Sequence, residues 1–481
     1  MAIQRRADTC RHHGNTSGSG LRIQPSKWTR FTSLALSLSL LSTTTTALEL
    51  TSGDKDSVCD AATLVTNGIM DYYEGTRYGG TPGMFQPPYY WWEAGEGLGG
   101  MIDTWAWCKN DTYQTIIFDA LMHQKGPNND YVPSNQSTTE GNDDQAFWGL
   151  AVMEATERNF TNPPDDEPGW LALSQAVYNT MWSRWDNQAC GGGLRWQIFQ
   201  WNSGYGYKNT ISNSCLFTMA ARLARYTQND TYVDTAETVW DWLVSVQFIQ
   251  DSTNGYSIYD GANIGNNNCT TIHKETWSYN YGLLLAGTAY LYNFTNDEKW
   301  LTRFQDVYTG IEDTFVNQST GIIYERMCQQ SGNCNNDQRS FKSIFSRCLG
   351  QSARLVSSYT DKIMDLINKS AQGAASSCSG GSDGHTCGIN WSYGGWDGWY
   401  GLGEQISALE IMQNTLVMVV PPPLTNSTGG TSQGDANAGL TQRETTNKNQ
   451  ITVTQKDKAG AGVLTAIVLI IFVGISGWIV I

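Results

Sequence analysis

Two adjacent carboxylates, Asp143 and Asp144, stand in the string Glu140-Gly141-Asn142-Asp143-Asp144-Gln145-Ala146-Phe147-Trp148. Retaining cleavage of a glycosidic bond needs two carboxyl groups about 5–5.5 Å apart, one as nucleophile and one as acid and then base, whereas inversion needs a wider gap that admits water. Neighbouring residues at a bent helix start meet the shorter separation. The string has a plainer use too, because free N–H groups and the partial positive charge at a helix N-terminus stabilise carboxylates in the first turn. On that reading one Asp only caps the helix, or the two bind calcium. What favours chemistry is the company of Trp, Tyr and Asn around the pair.

The chain carries 19 Trp and 23 Tyr, more than a core needs, and both residue types have a polar tip that prefers a wet partner. Trp92, Trp196, Trp277 and Trp396 are candidates for stacking on sugar rings, or else core residues under loops. Asn209, Asn213, Tyr279, Asn280 and Asp397 offer hydrogen bonds to hydroxyls, or cap helices. Glu93 is a third carboxylate and the replacement acid if Asp144 proves structural. His273 and His385 read as loop structure. The net charge of −15 repels a phosphate backbone and argues against nucleic acid as a partner. No HExxH and no GxxxxGK[ST] string is present, which argues against a zinc peptidase and a phosphate-loop enzyme. The reading calls for no metal and no cofactor.

The elements that must position these residues are helices. From Leu48 to about Met412 the apolar residues recur at three- and four-residue spacing, a helical period, in about twelve segments. The links between them alternate in length. Short ones include Lys109-Asn110-Asp111 and Gln228-Asn229-Asp230, where Asn or Asp caps the next helix. The aromatics Tyr113, Trp170, Tyr232 and Trp300 follow such links at intervals of about 60 residues, the mark of one helical hairpin used repeatedly. Long links (74–95, 124–142, 187–208, 251–275, 317–339 and 372–396) are rich in Gly, Asn, Trp and Tyr. Antiparallel hairpins put all of these at one end, which loads that face with function. Six hairpins predict an all-α fold, an (α/α)6 barrel closed on itself rather than an open solenoid, with the Asp pair opening its fourth helix.

Both ends read as targeting segments. Lys27 and Arg30 flank an apolar stretch from Phe31 to Leu41, followed by the small residues Thr45-Thr46-Ala47, the pattern of a secretory signal. Val463 to Ile481 is almost wholly apolar and lies behind a polar stretch from Thr425 to Gly462, the pattern of a glycosylphosphatidylinositol (GPI) signal whose tail is removed. Asn437-Ala438-Gly439 fits the small-residue rule of the attachment site best. The expected organisation is therefore a signal region at 1–47, a catalytic domain at 48–415, a Ser/Thr/Gly/Asn-rich linker with the attachment region at 416–462, and a removed tail at 463–481. Export agrees with the cysteines. Beyond Cys10 an even set of ten remains, expected in disulfides, with Cys328/Cys334 and Cys378/Cys387 spaced to close short loops. Sequons from Asn110 to Asn426 add glycans.

The Asp pair in its Gly-Asn-Asp-Asp-Gln-x-x-Trp context resembles glycoside hydrolase family 76. So do Tyr90-Trp91-Trp92-Glu93-Ala94-Gly95, Gly192 to Trp196, Lys208 to Asn213, Trp277 to Gly282 and Trp396 to Gly401. With both targeting segments, the chain is similar to that family's fungal cell-wall mannan endo-1,6-α-mannosidases. The resemblance implies an (α/α)6 barrel, retaining chemistry on α-1,6-linked mannose, Asp143 as nucleophile and Asp144 as acid/base. It also implies an α-1,6-mannan or GPI-core mannoside as donor, a β-glucan as acceptor, and a GPI-held place at the plasma membrane's outer face and in the cell wall. The rival readings are a wall protein that binds mannan or glucan without catalysis, and a glycosidase of another glucan specificity.

Overall fold

The computed structural model describes residues 47–440 and 455–480. The expected signal region lies outside them except for its last residue, as do residues 441–454 of the expected linker.

Twelve helices alternate between two layers. The outer ones are α1 (Lys55–Met70), α3 (Gln114–Gln124), α5 (Trp170–Ser183), α7 (Thr231–Ser245), α9 (Glu298–Phe315) and α11 (Thr360–Ser377). The inner ones are α2 (Trp91–Cys108), α4 (Asn142–Glu157), α6 (Thr210–Thr227), α8 (Ser278–Thr295), α10 (Asn336–Leu355) and α12 (Leu402–Gln413). Each inner helix packs on the next, and α12 returns to α2, so the toroid closes as an (α/α)6 barrel. Sequence decides the layer. Helix α9 buries Trp300, Phe304, Val307, Ile311 and Phe315 on one stripe, while α8 is buried all round from Ser278 to Leu291, as expected of an outer and an inner helix. Of the short links, the one before α9 caps as its composition predicts, Asp297 accepting the Lys299 N–H at 2.9 Å; Asn110 and Asn229 instead close turns ahead of α3 and α7 by accepting the N–H of Thr112 and Thr231 at 3.1 and 3.0 Å, and neither helix has a side-chain cap.

Two inner helices begin a turn or more before the apolar spacing signals them. Helix α2 starts at Trp91 rather than Glu96, its period being interrupted by four glycines between 95 and 100. Helix α10 starts at Asn336 rather than Phe341. Its polar first turn is secured by a reciprocal cap, with Gln338 N–H donating to Asn335 Oδ1 at 2.9 Å and Asn335 N–H to Gln338 Oε1 at 3.0 Å.

The long links hold small strands. β1 (Tyr207–Asn209), β4 (Gly261–Asn263) and β5 (Ile272–His273) form an antiparallel sheet in the order β1-β4-β5, with Tyr207 opposite Asn263. β2 (Ile249–Ser252) and β3 (Gly255–Ile258) form a hairpin. Disulfides join Cys59–Cys108, Cys190–Cys269, Cys328–Cys334 and Cys378–Cys387. The other two cysteines of the expected even set, Cys215 and Cys348, are free and buried on inner helices, where a thiol packs as a small hydrophobe.

The folded region also extends past the expected boundary at 415. Residues 421–440, read from composition as linker, lie along the outside of the barrel. Leu171 N–H donates to Ser432 Oγ at 2.9 Å and Ala172 N–H to the Gln433 carbonyl at 3.2 Å, so this strap satisfies donors that the N-terminus of α5 leaves open. The Asn179 amide then holds the carbonyls of Ala436 and Ala438 at 3.0 and 2.8 Å. A last helix, α13 (Gln455–Val480), contains most of the expected tail. Among the described residues no helix is long and apolar enough to cross a membrane; the side chains of α13 beyond Phe472 lie outside the described set.

Candidate active site

The start of α4 is stitched to the loop that carries Trp196. Asn142 N–H donates to the Trp196 carbonyl and its side-chain amide to the Arg195 carbonyl, both at 2.8 Å. Arg184 holds the Asn142 amide oxygen from behind at 2.8 Å. Asp144 Oδ2 bends back to accept the Gly141 N–H at 2.6 Å, and Asp143 Oδ1 is buried with no hydrogen-bond partner among the described residues. Both carboxyls are pushed upward. Burial is the main cause for Asp143, reinforced by the charge of Asp144, and its pKa stands well above the ordinary value. Burial also raises Asp144, to about 7, against the pull of the Gly141 N–H. The pair is thus poised to hold a proton near neutrality, as a glycosidic acid requires.

These carboxyls open on a cleft of about 250 Å³. The aromatic walls are Trp92, Trp196, Tyr207, Trp277 and Tyr279. A second hollow of about 520 Å³ shares Trp92, Asp144, Trp196 and Asp337 with it, so the cleft continues past Asp144 into adjoining space. The walls are braced. Tyr279 stacks on Phe341 with ring centroids 3.9 Å apart, and Trp92 leans on Phe147 at 4.7 Å. Two further carboxylates each hold an aromatic by its polar tip: Asp337 accepts the Trp92 indole N–H at 3.0 Å, and Asp260 the Tyr207 hydroxyl at 2.6 Å. Burial raises the pKa of both. No Lys or Arg lines the cleft, a surface suited to neutral or cationic sugars and hostile to phosphorylated ones.

Of the residues singled out by sequence, Asp143, Asp144, Trp92, Trp196, Asn209, Trp277 and Tyr279 meet in this cleft. Five others stand elsewhere. Glu93 is buried as a clasp, accepting Tyr90 N–H at 2.6 Å and the Ser340 hydroxyl at 2.8 Å. Asn213 is spent on the Leu194 and Asn209 backbone. Asn280 is buried on α8 and does not line the cleft. Trp396 is half exposed outside it, and Asp397 ties its own loop by accepting Asn390 N–H at 2.7 Å and Trp399 N–H at 3.0 Å. Sequence reasoning missed Asp337, Asp260 and Tyr207. A signal for Asp337 existed: Asn-Asp-Gln at 336–338 echoes Asn-Asp-Asp-Gln at 142–145, and both strings open inner helices.

Gly141 has an ordinary extended backbone, and what it needs is space. A Cβ there would stand 2.2 Å from Asp143 Oδ1, 3.0 Å from the Trp196 carbonyl and 3.2 Å from Asp144 Oδ2. Gly141→Ala is therefore expected to displace Asp143 and lower kcat by about two orders of magnitude. A melting temperature within a few degrees of the parent, measured alongside the rate, separates this from unfolding. Wild-type kcat would refute the crowding.

Comparison with known proteins agrees with this geometry. The model of glycosyl hydrolase family 76 matches residues 57–427. A mannan endo-1,6-alpha-mannosidase of Saccharomyces cerevisiae is 54% identical over 439 residues, 90% of this chain and 94% of that protein. The crystal structure of Dfg5 from Chaetomium thermophilum in complex with glucosamine superposes with a TM-score of 0.78 at 39% identity, covering 83% of this chain and 99% of that one. An inactive α-1,6-mannanase variant of Salegentibacter in complex with α-1,6-mannotriose shares the fold, with a TM-score of 0.60 at 17% identity over 76% of this chain and all of that one. With the family model spanning most of the chain and more than half of the aligned residues shared with a relative covered over 94% of its length, the chain belongs to glycosyl hydrolase family 76 and is a glycoside hydrolase.

Proposed function

We propose that this enzyme acts on α-1,6-linked mannose with retention and passes the mannosyl unit chiefly to another sugar. The observation that carries the reading is the Asp143–Asp144 pair at the bottom of an aromatic cleft. Positions 2.2 and 3.2 Å from one point beside Gly141 keep Asp143 Oδ1 and Asp144 Oδ2 within the separation of a retaining pair, about 5–5.5 Å, and short of the gap of about 6.5–9.5 Å used for inversion. One carboxylate attacks the anomeric carbon while the other carboxyl gives its proton to the departing glycosidic oxygen. The resulting glycosyl ester is then opened by a hydroxyl whose proton returns to the second carboxylate.

The sugar class follows from relatives. The yeast protein's name gives mannan and an endo-1,6-α cut, and in the Salegentibacter protein two successive aspartates are replaced by asparagine in a variant described as inactive. Two hollows that meet at Asp144 offer room for a donor in one and an acceptor in the other. The two targeting patterns would hold the enzyme by a GPI anchor at the outer face of the plasma membrane, beside GPI-core mannosides and wall β-glucan. Transfer there would graft proteins to the wall, whereas hydrolysis would shed them. Incubation with a GPI-core-like α-mannoside and a β-glucan oligosaccharide is expected to yield a mannosyl-glucan conjugate by mass spectrometry. Release of free sugar alone at high acceptor concentration would leave plain hydrolysis. A mature protein still containing Trp478 would remove the GPI anchor from the account.

A further inference from the structure

Five inner helices bring their N-terminal ends to the cleft: α2, α4, α6, α8 and α10. The sixth sector, the loop before α12, supplies none of the lining residues. What it presents is aromatic surface. Tyr393, Trp396, Trp399 and Tyr400 fall within eight residues and are 65%, 38%, 37% and 61% exposed. This concentration has no counterpart in the folding requirements of α12, which is buried along its whole length without them.

The rings are held in place. The Trp396 indole donates to the Trp399 carbonyl at 2.6 Å, and its ring lies against Gly380, where a Cβ would meet it at 2.4 Å. The Arg339 guanidinium lies 5.6 Å from the Trp399 ring centroid, donates to the Tyr400 carbonyl at 3.2 Å and is anchored by Glu404 at 3.0 Å. Arg339 also bonds Asn336, whose neighbours Asn335 and Asp337 line the cleft. The platform is thus fixed to the rim of the active site. The space over it is open: a side chain at Gly395 would meet nothing within 4 Å, and that residue has no left-handed backbone angle to explain its glycine.

We propose that this platform is a carbohydrate-binding surface outside the catalytic cleft, which holds an uncharged hexopyranose polysaccharide by stacking its ring faces on Tyr393, Trp396, Trp399 and Tyr400. The segment 391–400 is Trp-Ser-Tyr-Gly-Gly-Trp-Asp-Gly-Trp-Tyr, in which small residues separate the rings and leave their faces open. The chain's charge of −15 disfavours an anionic polymer. Exposed rings with polar tips between glycines fit the alternating apolar faces and hydroxyl edges of a sugar chain. The surface rests on the glycosidase reading only in its position beside the cleft.

The test uses the full chain carrying Asp143→Asn and Asp144→Asn, so that binding is read without turnover. Affinity electrophoresis is run against soluble β-1,3-glucan and, separately, α-1,6-mannan, with a short α-1,6-mannoside saturating the cleft. Binding to at least one polymer is expected, and the polymer bound identifies the source of the chain. Adding Tyr393→Ala, Trp399→Ala and Tyr400→Ala is expected to weaken it about ten-fold or more. The same three substitutions in the active enzyme are expected to leave kcat/KM on a short mannoside unchanged. If the triple variant fails to fold, Tyr393→Ala with Tyr400→Ala, the two most exposed rings, is read instead. Binding to neither polymer, binding unaffected by the substitutions, or a parallel fall in short-substrate kcat/KM would each overturn the proposal. A platform that binds polymer in an enzyme inactive on α-1,6-mannosides would instead indict the substrate assignment.

Discussion

Asp143→Asn and Asp144→Asn are each expected to lose about a hundred- to ten-thousand-fold in kcat/KM on an α-1,6-mannoside while the fold persists. Asn keeps the size of Asp, and at 144 its amide oxygen can still accept the Gly141 N–H that Asp144 accepts at 2.6 Å. Wild-type rates from both variants would place the chemistry elsewhere. Azide separates the two roles. With the nucleophile removed it attacks the sugar directly and gives an inverted mannosyl azide; with the acid/base removed it opens the glycosyl ester and gives a retained one. The resemblance assigns the nucleophile to Asp143. Burial raises both carboxyls, and backbone N–H groups ease both toward ionisation, with the Trp196 side chain adding to the pull on Asp143. The anomeric configuration of the azide product therefore decides which of the two attacks.

The same burial sets two pH dependences. Asp144, raised from 3.8 to about 7, keeps its proton while the unfolded chain has released it. Its contribution to stability is therefore greatest below about pH 4 and declines as pH rises to about 7, after which it stays low. A shift of that size corresponds to about 4 kcal/mol. Asp144→Asn removes the titration, so the inactive variant is expected to melt above the wild type at pH 8 and to lose that advantage at pH 4. A wild type equally stable at both, relative to the variant, would show that the carboxyl is not destabilised by burial. Activity is expected to change with pH near 7, where Asp144 titrates, because a retaining pair needs one carboxylate and one carboxyl.

How far the sequence carries can be seen at particular residues. Helix period and alternating links sufficed for twelve helices and two layers, because an outer helix such as α9 shows its stripe, whereas the Asn/Asp pairs of the short links cap only α9 and form turns before α3 and α7. Closure and the loaded face followed from alternating link lengths. The cleft residues that were legible, Asp143, Trp92 and Tyr279 among them, sit at inner-helix starts inside recognisable strings. Those that were not come to the site by tertiary contact. Asp260 arrives on the turn before β4 and is known by the Tyr207 hydroxyl it accepts, and Asp337 looked like loop because polar capping residues hide the first turn of α10. Glu93 shows the converse. A carboxylate beside Trp92 looks catalytic in one dimension, but along a helix the next residue points about 100° away, and here that direction leads to Ser340.

Arg347→Met is expected to cost the barrel about 3–5 kcal/mol at pH 8, because it strands two buried carboxylates. Arg347 on α10 donates to Glu96 Oε2 on α2 at 3.0 Å and to Glu410 Oε1 on α12 at 2.6 Å, and adds the Glu96 carbonyl at 2.9 Å. It therefore spans the seam where the last inner helix meets the first, the contact that turns a row of hairpins into a closed ring. The seam is shaped for it: a Cβ at Gly100 would lie 2.2 Å from Glu410 Oε1, so glycine lets α2 approach α12 over the ion pairs. For a domain of this size the loss corresponds to a fall in melting temperature of roughly 4–6 °C. It should also depend on pH. Glu96 stands at about 7 even with Arg347 pulling it down, and without that cation both carboxyls hold their protons further into the alkaline range. A protonated carboxyl needs no counter-charge, so the deficit of Arg347→Met should be largest at pH 8 and shrink as pH falls through about 7, where Glu96 takes up its proton in the wild type as well. Replacing Glu410 by Gln in the same chain should restore part of it at pH 8. A deficit that is small at pH 8, or unchanged as pH falls, would mean that closure rests on apolar packing across the seam and that the buried charges only fill space there.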